Sequence, residues 1–409
     1  MDPLATRPDD ENSRLLHRLR TRRRVPDPQT VAFLEQAQES AGGRRTTREM
    51  PDAGTVRAMY PNRTEAEIAE MSRYFAELDS AIRPPTRYEG RHHRQVQVYA
   101  AQLDEAVARH GRWPAADNPP LFATTESGHG TAAAIRVPHT GDHLVLVDSE
   151  LLQFLFLFSK AVALAVPAGT PTPDGILRFA TEPEEIRANL RRDPQILFRF
   201  HDVVLSYAMT GSASRAEAYR VPPATERLYG IVMQSAQTFV LAHEYAHVLE
   251  GHLDDGDPGG EHLAPPQWPL PLEGVADRFG FELTLEVMKK AGYDLYFTYW
   301  GIELFLSANE ILLKAISLLR TGDEHGLRHD ERHRQAGFDA RRRSLETMLR
   351  TDLERASGKA TVEAEWDRIG SGLHVVRDIV HILWGETEPL LRKAHADGSR
   401  PAVWWDSGG

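Results

Sequence analysis

Cysteine is missing from this 409-residue sequence. Its absence excludes disulfide bonds, thiol nucleophiles, iron–sulfur clusters and cysteine-ligated zinc, so any metal must be bound by histidine, aspartate or glutamate. Lysine is scarce, with six residues among the 48 basic ones. We interpret the resulting arginine bias as a property of genome composition and not as a binding site.

Positive charge is in deficit, since 59 acidic residues outweigh 48 basic ones and give a formal net charge of −11. Nucleic-acid binding depends on clustered cations that neutralise phosphates, so no nucleic-acid partner is expected. The arginine-rich run over residues 18–24 is offset by acidic neighbours. Residues 1–52 are therefore predicted to contain a mobile, solvated tail.

Long hydrophobic runs are also lacking. The most apolar stretch, residues 144–166, is interrupted by Asp148 and Lys160, which indicates a buried strand followed by a buried helix and no membrane span. The first residues are acidic and no apolar run follows them, which is unlike a signal peptide. We therefore expect a soluble, cytoplasmic protein.

The spacing of apolar residues predicts a mainly helical, α+β fold. A helical N-terminal segment is expected over 53–118, followed by a larger domain over 119–409. Short β-like runs separated by turn residues predict a small sheet over 119–148. Helices are predicted at 63–82, 94–110, 151–166, 182–192, 195–209, 225–251 and 270–290, and C-terminal helices within 295–395.

The predicted helix 225–251 contains the sequence His243-Glu244-Tyr245-Ala246-His247. Histidines at i and i+4 project from one helix face, so both imidazoles can reach one zinc ion, which accepts histidine nitrogens in a tetrahedral site. Glu244 lies on the flank of that face, where it can take a proton from zinc-bound water with a pKa of ~7. The alternative is a polar helix end whose histidines cap carbonyl groups.

A catalytic zinc site needs a third protein ligand and keeps one position open for water. His252 does not fit the metzincin spacing, because Glu250 and Leu253 stand where a glycine and a histidine are required. We interpret His252 as a residue at the helix C-terminus that contacts the last carbonyls.

Glu273 is the better candidate for the third ligand. Glu273 and Asp277 are spaced i, i+4 and therefore face one side of the predicted helix 270–290. Glu273 can supply the zinc oxygen, while Asp277 accepts the free ring N–H of His243 or His247 and fixes its orientation. The alternative is a pair of solvated carboxylates that bind Arg278 and neighbouring residues.

The small residues Gly274 and Ala276 would let this helix approach the histidine helix closely. The loop over 253–271 is rich in proline and glycine and joins the two helices, either as a lid over the site or as a plain surface connection. If Glu273 is not the ligand, the remaining candidates are His252, His262 and an aspartate of this loop.

The sequence HEYAHVLEGHL, followed by LEGVADRFGFEL, resembles the HExxH…ExxxD pattern of gluzincin metallopeptidases. It looks most like the HtpX-type and CAAX-protease enzymes, and it is similar to the cytoplasmic ImmA/IrrE-type and Lit-type phage-exclusion peptidases. The resemblance implies a zincin-like helical body with a small β-sheet beside the active-site helix. It also implies one zinc ion on His243, His247 and Glu273, with Glu244 as general base.

A peptidase also needs a donor for the oxyanion of its transition state. In peptidases that this sequence resembles, a histidine- and arginine-containing stretch after the third-ligand helix approaches the site. One of His325, His329, Arg332 and His333 could therefore stabilise the intermediate. The other interpretation of these residues is a solvated, charged helix start.

These patterns together predict a soluble zinc metalloendopeptidase that acts on a protein or peptide substrate. A second hypothesis is a regulatory or phage-defence protein that uses a zinc-peptidase fold mainly to bind a partner or to make one specific cleavage. A third is a different zinc hydrolase, such as a deacetylase or a deamidase.

Overall fold

The computed structural model of the chain describes residues 9–21, 26–42, 53–59, 63–82, 84–112, 119–128, 130–171, 177–179, 181–253, 268–293, 295–327, 329–357, 363, 366, 370 and 372–402. This part of the chain is mainly helical and contains a small three-stranded sheet, which confirms the predicted α+β class. It divides into two compact units.

The first unit comprises the described parts of 1–127, 131–149 and 247–266. Its helices are α1 (Asp9–Thr21), α2 (Pro28–Ser40), α3 (Ala53–Met59), α4 (Glu65–Ala81) and α5 (His93–His110). A capping box starts α4, because the Thr64 side chain accepts from the N–H of Glu67 while the Glu67 carboxylate accepts from the N–H of Thr64.

The sheet of the first unit consists of β1 (Leu121–Thr125), β2 (Ala132–Arg136) and β3 (His143–Asp148). The central strand β3 is parallel to β1 and antiparallel to β2, and all its residues after His143 are buried. The prediction of a small sheet over 119–148 is confirmed. The sheet groups with the N-terminal helices, whereas the predicted boundary at residue 119 joined it to the later helices. Its expected place beside the histidine helix stays a prediction.

A buried polar network joins α2 to β1. The Gln38 amide donates to Oε1 of Glu89 (3.0 Å) and to the carbonyl of Thr124 (2.7 Å). Oε2 of Glu89 accepts from the N–H and the hydroxyl of Thr124, both at 2.8 Å, and lies 2.8 Å from Nδ1 of His93. Burial alone would raise the pKa of Glu89, but His93 and the Thr124 hydrogen bonds outweigh it and lower that pKa.

The N-terminal region departs from the predicted mobile tail over 1–52, because α1 and α2 are packed helices. Leu15, Leu16 and Leu19 of α1 are buried, and so is Leu34 of α2. The physical reason is that a few leucines at helical spacing are enough to anchor each helix. Because many charged residues surround these leucines, the overall composition of the segment does not indicate the helices.

The second unit comprises the described parts of 128–130, 150–246 and 267–409. Its helices are α6 (Ser149–Ala165), α7 (Pro183–Arg192), α8 (Gln195–Thr210), α9 (Pro223–Leu249), α10 (Leu270–Lys290), α11 (Leu295–Thr321), α12 (His329–Ser357) and α13 (Val375–Ala396). Ser149 and the last turn of α9, from His247 onward, are counted with the first unit. Among the described helices, none combines the length and hydropathy needed to cross a membrane.

A two-stranded antiparallel ribbon, β4 (Ala168–Pro171) with β5 (Leu177–Phe179), interrupts this run of helices. The sequence does not predict it, because its strands are short and rich in turn-forming residues. An apolar cluster of the second unit instead joins helices, and its buried members are Phe239, Phe281, Tyr299, Ile302, Leu306, Leu313, Leu327, Phe338, Leu345, Leu349 and Leu373.

Charged side chains are buried beside this cluster. Nε of Arg342 lies 2.9 Å from Oε1 of Glu303, and Nη1 of Arg342 lies 2.8 Å from Oε2 of Glu310. Arg377 is a second cation for Glu303, at 3.3 Å. The network joins α11, α12 and α13, and each buried charge has an opposite charge within reach.

Candidate metal centre

The C-terminal turns of α9 carry His243, Glu244 and His247. Gly251, with φ at +71°, follows the helix, and its N–H donates to the carbonyl of Val248 at 3.2 Å. A glycine accepts this left-handed conformation without steric cost, which explains why the helix ends here as predicted. His243 is 7% exposed and His247 is fully buried, while Glu244 is half-buried.

Glu273 and Asp277 of α10 contact the two nitrogens of the same imidazole. Oε2 of Glu273 lies 3.3 Å from Nε2 of His243, and Oδ1 of Asp277 lies 3.0 Å from Nδ1 of His243. Asp277 is fully buried. Arg278, the partner expected if these carboxylates were solvated, instead donates from Nε to Glu282 at 3.1 Å. Asp277 is therefore in position to orient the ring of His243.

His243, His247 and Glu273 form a group that could bind a metal ion. Each offers one ligand atom, and these three atoms all lie within 4.8 Å of one another. In a tetrahedral zinc site with bonds of about 2 Å, neighbouring ligand atoms are about 3.3 Å apart. The His243–Glu273 distance of 3.3 Å already has this value. Two imidazoles and one carboxylate suit zinc, and they also suit other divalent transition metals.

The side chain of His252 contacts His247, and its expected contact with the last carbonyls of α9 stays a prediction. The two Nδ1 atoms are 2.8 Å apart, while the backbone N–H of His252 donates to the carbonyl of His247 at 3.1 Å. A proton on Nδ1 of His247 can be donated to His252, which leaves Nε2 of His247 as the metal donor. His262 and the loop aspartates, the other candidate ligands, lie outside the described residues, as does most of the loop expected to be a lid.

Arg341 of α12 is the site residue that the sequence does not reveal. Its guanidinium binds Asp277 in bidentate fashion, with Nε 2.7 Å from Oδ2 and Nη2 2.6 Å from Oδ1. Its Nη1 lies 3.8 Å from Oε2 of Glu273. In the sequence Arg341 belongs to a run of three arginines, which by itself indicates only a charged helix face.

The charged groups of the site shift one another's pKa values. Burial lowers the pKa of His243, but its hydrogen bonds to Asp277 and Glu273 outweigh burial and raise that pKa to about 10. Burial raises the pKa of both carboxyl groups, and this effect is outweighed for Asp277 by Arg341 and for Glu273 by His243, so both pKa values are lowered. The attraction of Asp277, Glu273 and Glu244 outweighs burial for Arg341 and raises its pKa.

Close approach of α10 to α9 depends on Gly280. A Cβ built there would lie 3.0 Å from both the N and the Cα of His243. Of the two small residues predicted for this role, Ala276 is fully buried, whereas a Cβ at Gly274 would meet no atom within 4 Å. The helix packs by its Ala276 and Gly280 face, and Gly274 is turned towards open space.

The residues predicted as oxyanion donors are placed as follows. The side chain of His325 is 80% exposed, with Nε2 3.7 Å from Glu324. Arg332 is exposed and donates to the carbonyl of Leu327 at 2.9 Å. The side chains of His329 and His333 lie outside the described residues. Their catalytic role stays a prediction, and Arg341 is a cation that contacts the site carboxylates.

Compared with protein-family models, with curated proteins and with solved structures, the chain gives no significant match. The gluzincin resemblance and the zincin-like fold therefore remain expectations that depend on the motifs.

Proposed function

We propose that this chain is a zinc-dependent hydrolase that cleaves peptide bonds in a protein substrate. The observation that supports this most is the convergence of His243, His247 and Glu273, with Glu244 next to the first ligand. Three ligands of this kind leave a coordination position for water, as catalytic zinc sites do. Zinc, when bound, polarises the scissile carbonyl and acidifies that water.

Glu244 is the general base of the proposed reaction. Its carboxylate accepts a proton from the attacking water, whose oxygen forms the new bond to the carbonyl carbon. The same residue then gives the proton to the leaving amine as the C–N bond breaks. Asp277 fixes the ring of His243, and Arg341 fixes Asp277 through two hydrogen bonds.

Replacing Glu244 by glutamine tests this assignment. We expect Glu244→Gln to retain the metal and to lose hydrolysis by about 10²–10⁴-fold, since the amide cannot accept the proton. Metal content would be measured by mass spectrometry, and cleavage with a peptide library. Glu250→Gln, an acid just beyond α9, is the matched control and should cleave normally. Equal cleavage by Glu244→Gln and the unaltered chain would show that this residue is not the base.

The third ligand is tested separately. Glu273→Ala should lower the affinity for zinc by about 10²-fold or more, because it removes a charged ligand and not a supporting residue. Glu282→Ala, on the same helix, should bind zinc as the unaltered chain does. Unchanged zinc binding by Glu273→Ala would transfer the assignment to His252, His262 or a loop aspartate.

A further inference from the structure

A groove of about 380 Å³ lies between α10 and α12. Gly274 and Arg278 line it from α10, and residues from Arg343 to Arg355 line it from α12. A Cβ at Gly274 would meet no atom within 4 Å, so the groove is open at the residue that follows Glu273. We call this surface of the second unit the α10–α12 groove.

The α10–α12 groove and the metal centre are built on the same two helices, α10 and α12. Arg341, which binds the site carboxylates, is followed at steps of three or four residues by Leu345, Met348, Asp352 and Arg355. Residues at this spacing share one helix face. From Arg341 to Arg355 that face extends for about 21 Å at 1.5 Å per residue. An extended peptide of about six residues has this length.

The groove presents three arginines in a protein of net negative charge. Arg343 is exposed and forms no ion pair within the described part of the chain. Arg278 and Arg355 are 49% and 69% exposed, and each pairs with an acid of its own helix, Glu282 and Asp352 respectively. Exposed pairs of this kind contribute little to stability, so a ligand carboxylate can take the place of Glu282 or Asp352 beside its arginine.

We propose that the α10–α12 groove binds acidic side chains of an extended peptide, and so selects acidic protein segments for cleavage. This inference rests on the proposed function, which identifies the bound peptide as a substrate. A guanidinium binds a carboxylate through two parallel hydrogen bonds, which suits Arg343. The partly buried Met348 offers apolar surface to the peptide, and Asp352 would repel a continuous phosphate backbone.

Binding can be measured without turnover in full-length Glu244→Gln by fluorescence anisotropy. The probes are a short fluorescein-labelled peptide rich in glutamate and the same peptide with glutamine at those positions. At low salt the glutamate peptide should bind about tenfold more tightly or better. Adding Arg343→Gln should weaken its binding about three- to tenfold, whereas Arg187→Gln on α7, an exposed charge outside the groove, should not.

A second variant blocks the groove by volume. Gly274→Leu places a side chain in the open space beside Glu273, in a helical position that leucine accepts readily. It should abolish the difference in affinity between the two peptides while the metal content stays the same. Retention of that difference by folded, metal-loaded Gly274→Leu would overturn the proposal.

The remaining outcomes decide between the possible explanations. Equal binding of the two peptides, or equal effects of Arg343→Gln and Arg187→Gln, would overturn the proposal. Displacement of the labelled peptide by an oligonucleotide would also overturn the proposal, if it requires Arg343 and a lower concentration than displacement by the unlabelled glutamate peptide. The groove would then bind nucleic acid. Selective peptide binding by a chain that hydrolyses no peptide would support the groove and refute the proposed function. Cleavage that depends neither on acidic residues of the peptide nor on Arg343 would support the proposed function and refute the role of the groove.

Discussion

Gly280→Ala tests whether the spacing of α9 and α10 sets the metal centre. The added methyl group would lie 3.0 Å from the N and the Cα of His243. Because carbon atoms normally pack at about 3.5–4.0 Å, the two backbones must separate by about half an ångström. That displacement would move Glu273 away from His243, since each helix carries one of them.

The expected effect on the metal is larger than that on folding. Metal–ligand distances tolerate about 0.2 Å, so a shift of half an ångström should weaken metal affinity by about 10- to 100-fold, which is about 1.4–2.7 kcal/mol. For the metal-free protein, alanine gains about 1 kcal/mol of helix propensity while overpacking costs about 1–3 kcal/mol. Gly280→Ala should therefore lower the free energy of unfolding by about 0–2 kcal/mol.

Gly274→Ala is the matched control, since it makes the same substitution in the same helix where the methyl group meets no atom within 4 Å. It should stabilise the protein by about 0.5–1 kcal/mol and leave metal affinity unchanged. Affinity would be measured by competition with a chromophoric chelator, and stability by urea unfolding in excess chelator. If Gly280→Ala binds the metal as tightly as Gly274→Ala does, helix spacing does not control the site.

Three further results are expected. Because the pKa of His243 is raised to about 10, the stabilising effect of its protonated ring is complete below about pH 6.5 and is lost as the pH rises to about 10. Urea unfolding of the metal-free protein should therefore show stability that declines over this interval. The variant His243→Gln should not show this decline. His252→Ala should weaken metal affinity about tenfold in the same chelator competition, because His247 loses its Nδ1 partner. Arg342→Met should cost about 3–5 kcal/mol in urea unfolding, because it removes a cation that pairs with buried Glu303.

The part of the site that depends on local spacing could be predicted from the sequence. Residues four apart on a helix share a face whatever the rest of the fold does. This is why His243 with His247, and Glu273 with Asp277, could be grouped before the structure was known. The boundaries of α10 also follow from local signals, namely the prolines before it and the glycine after its last lysine.

Pairings between distant segments could not be predicted in the same way. Arg341 is 64 residues from Asp277, and nothing in the local pattern relates the two. Similarly, the choice between Gly274 and Gly280 as the point of close approach depends on how α10 is rotated against α9. That rotation is set by the packing of the whole apolar cluster and not by α10 alone.

Arg341 and a protonated His243 offset the charges of Asp277 and Glu273 before any ion is bound, and Glu244 is a further acid that attracts Arg341. Small zinc domains with several thiolates lack such balance and fold only when loaded. A metal ion bound by His243, His247 and Glu273 would instead displace the proton of His243 from a charge arrangement that exists without it. Uptake of the ion would then release a proton, so the ion would be held less tightly in acid.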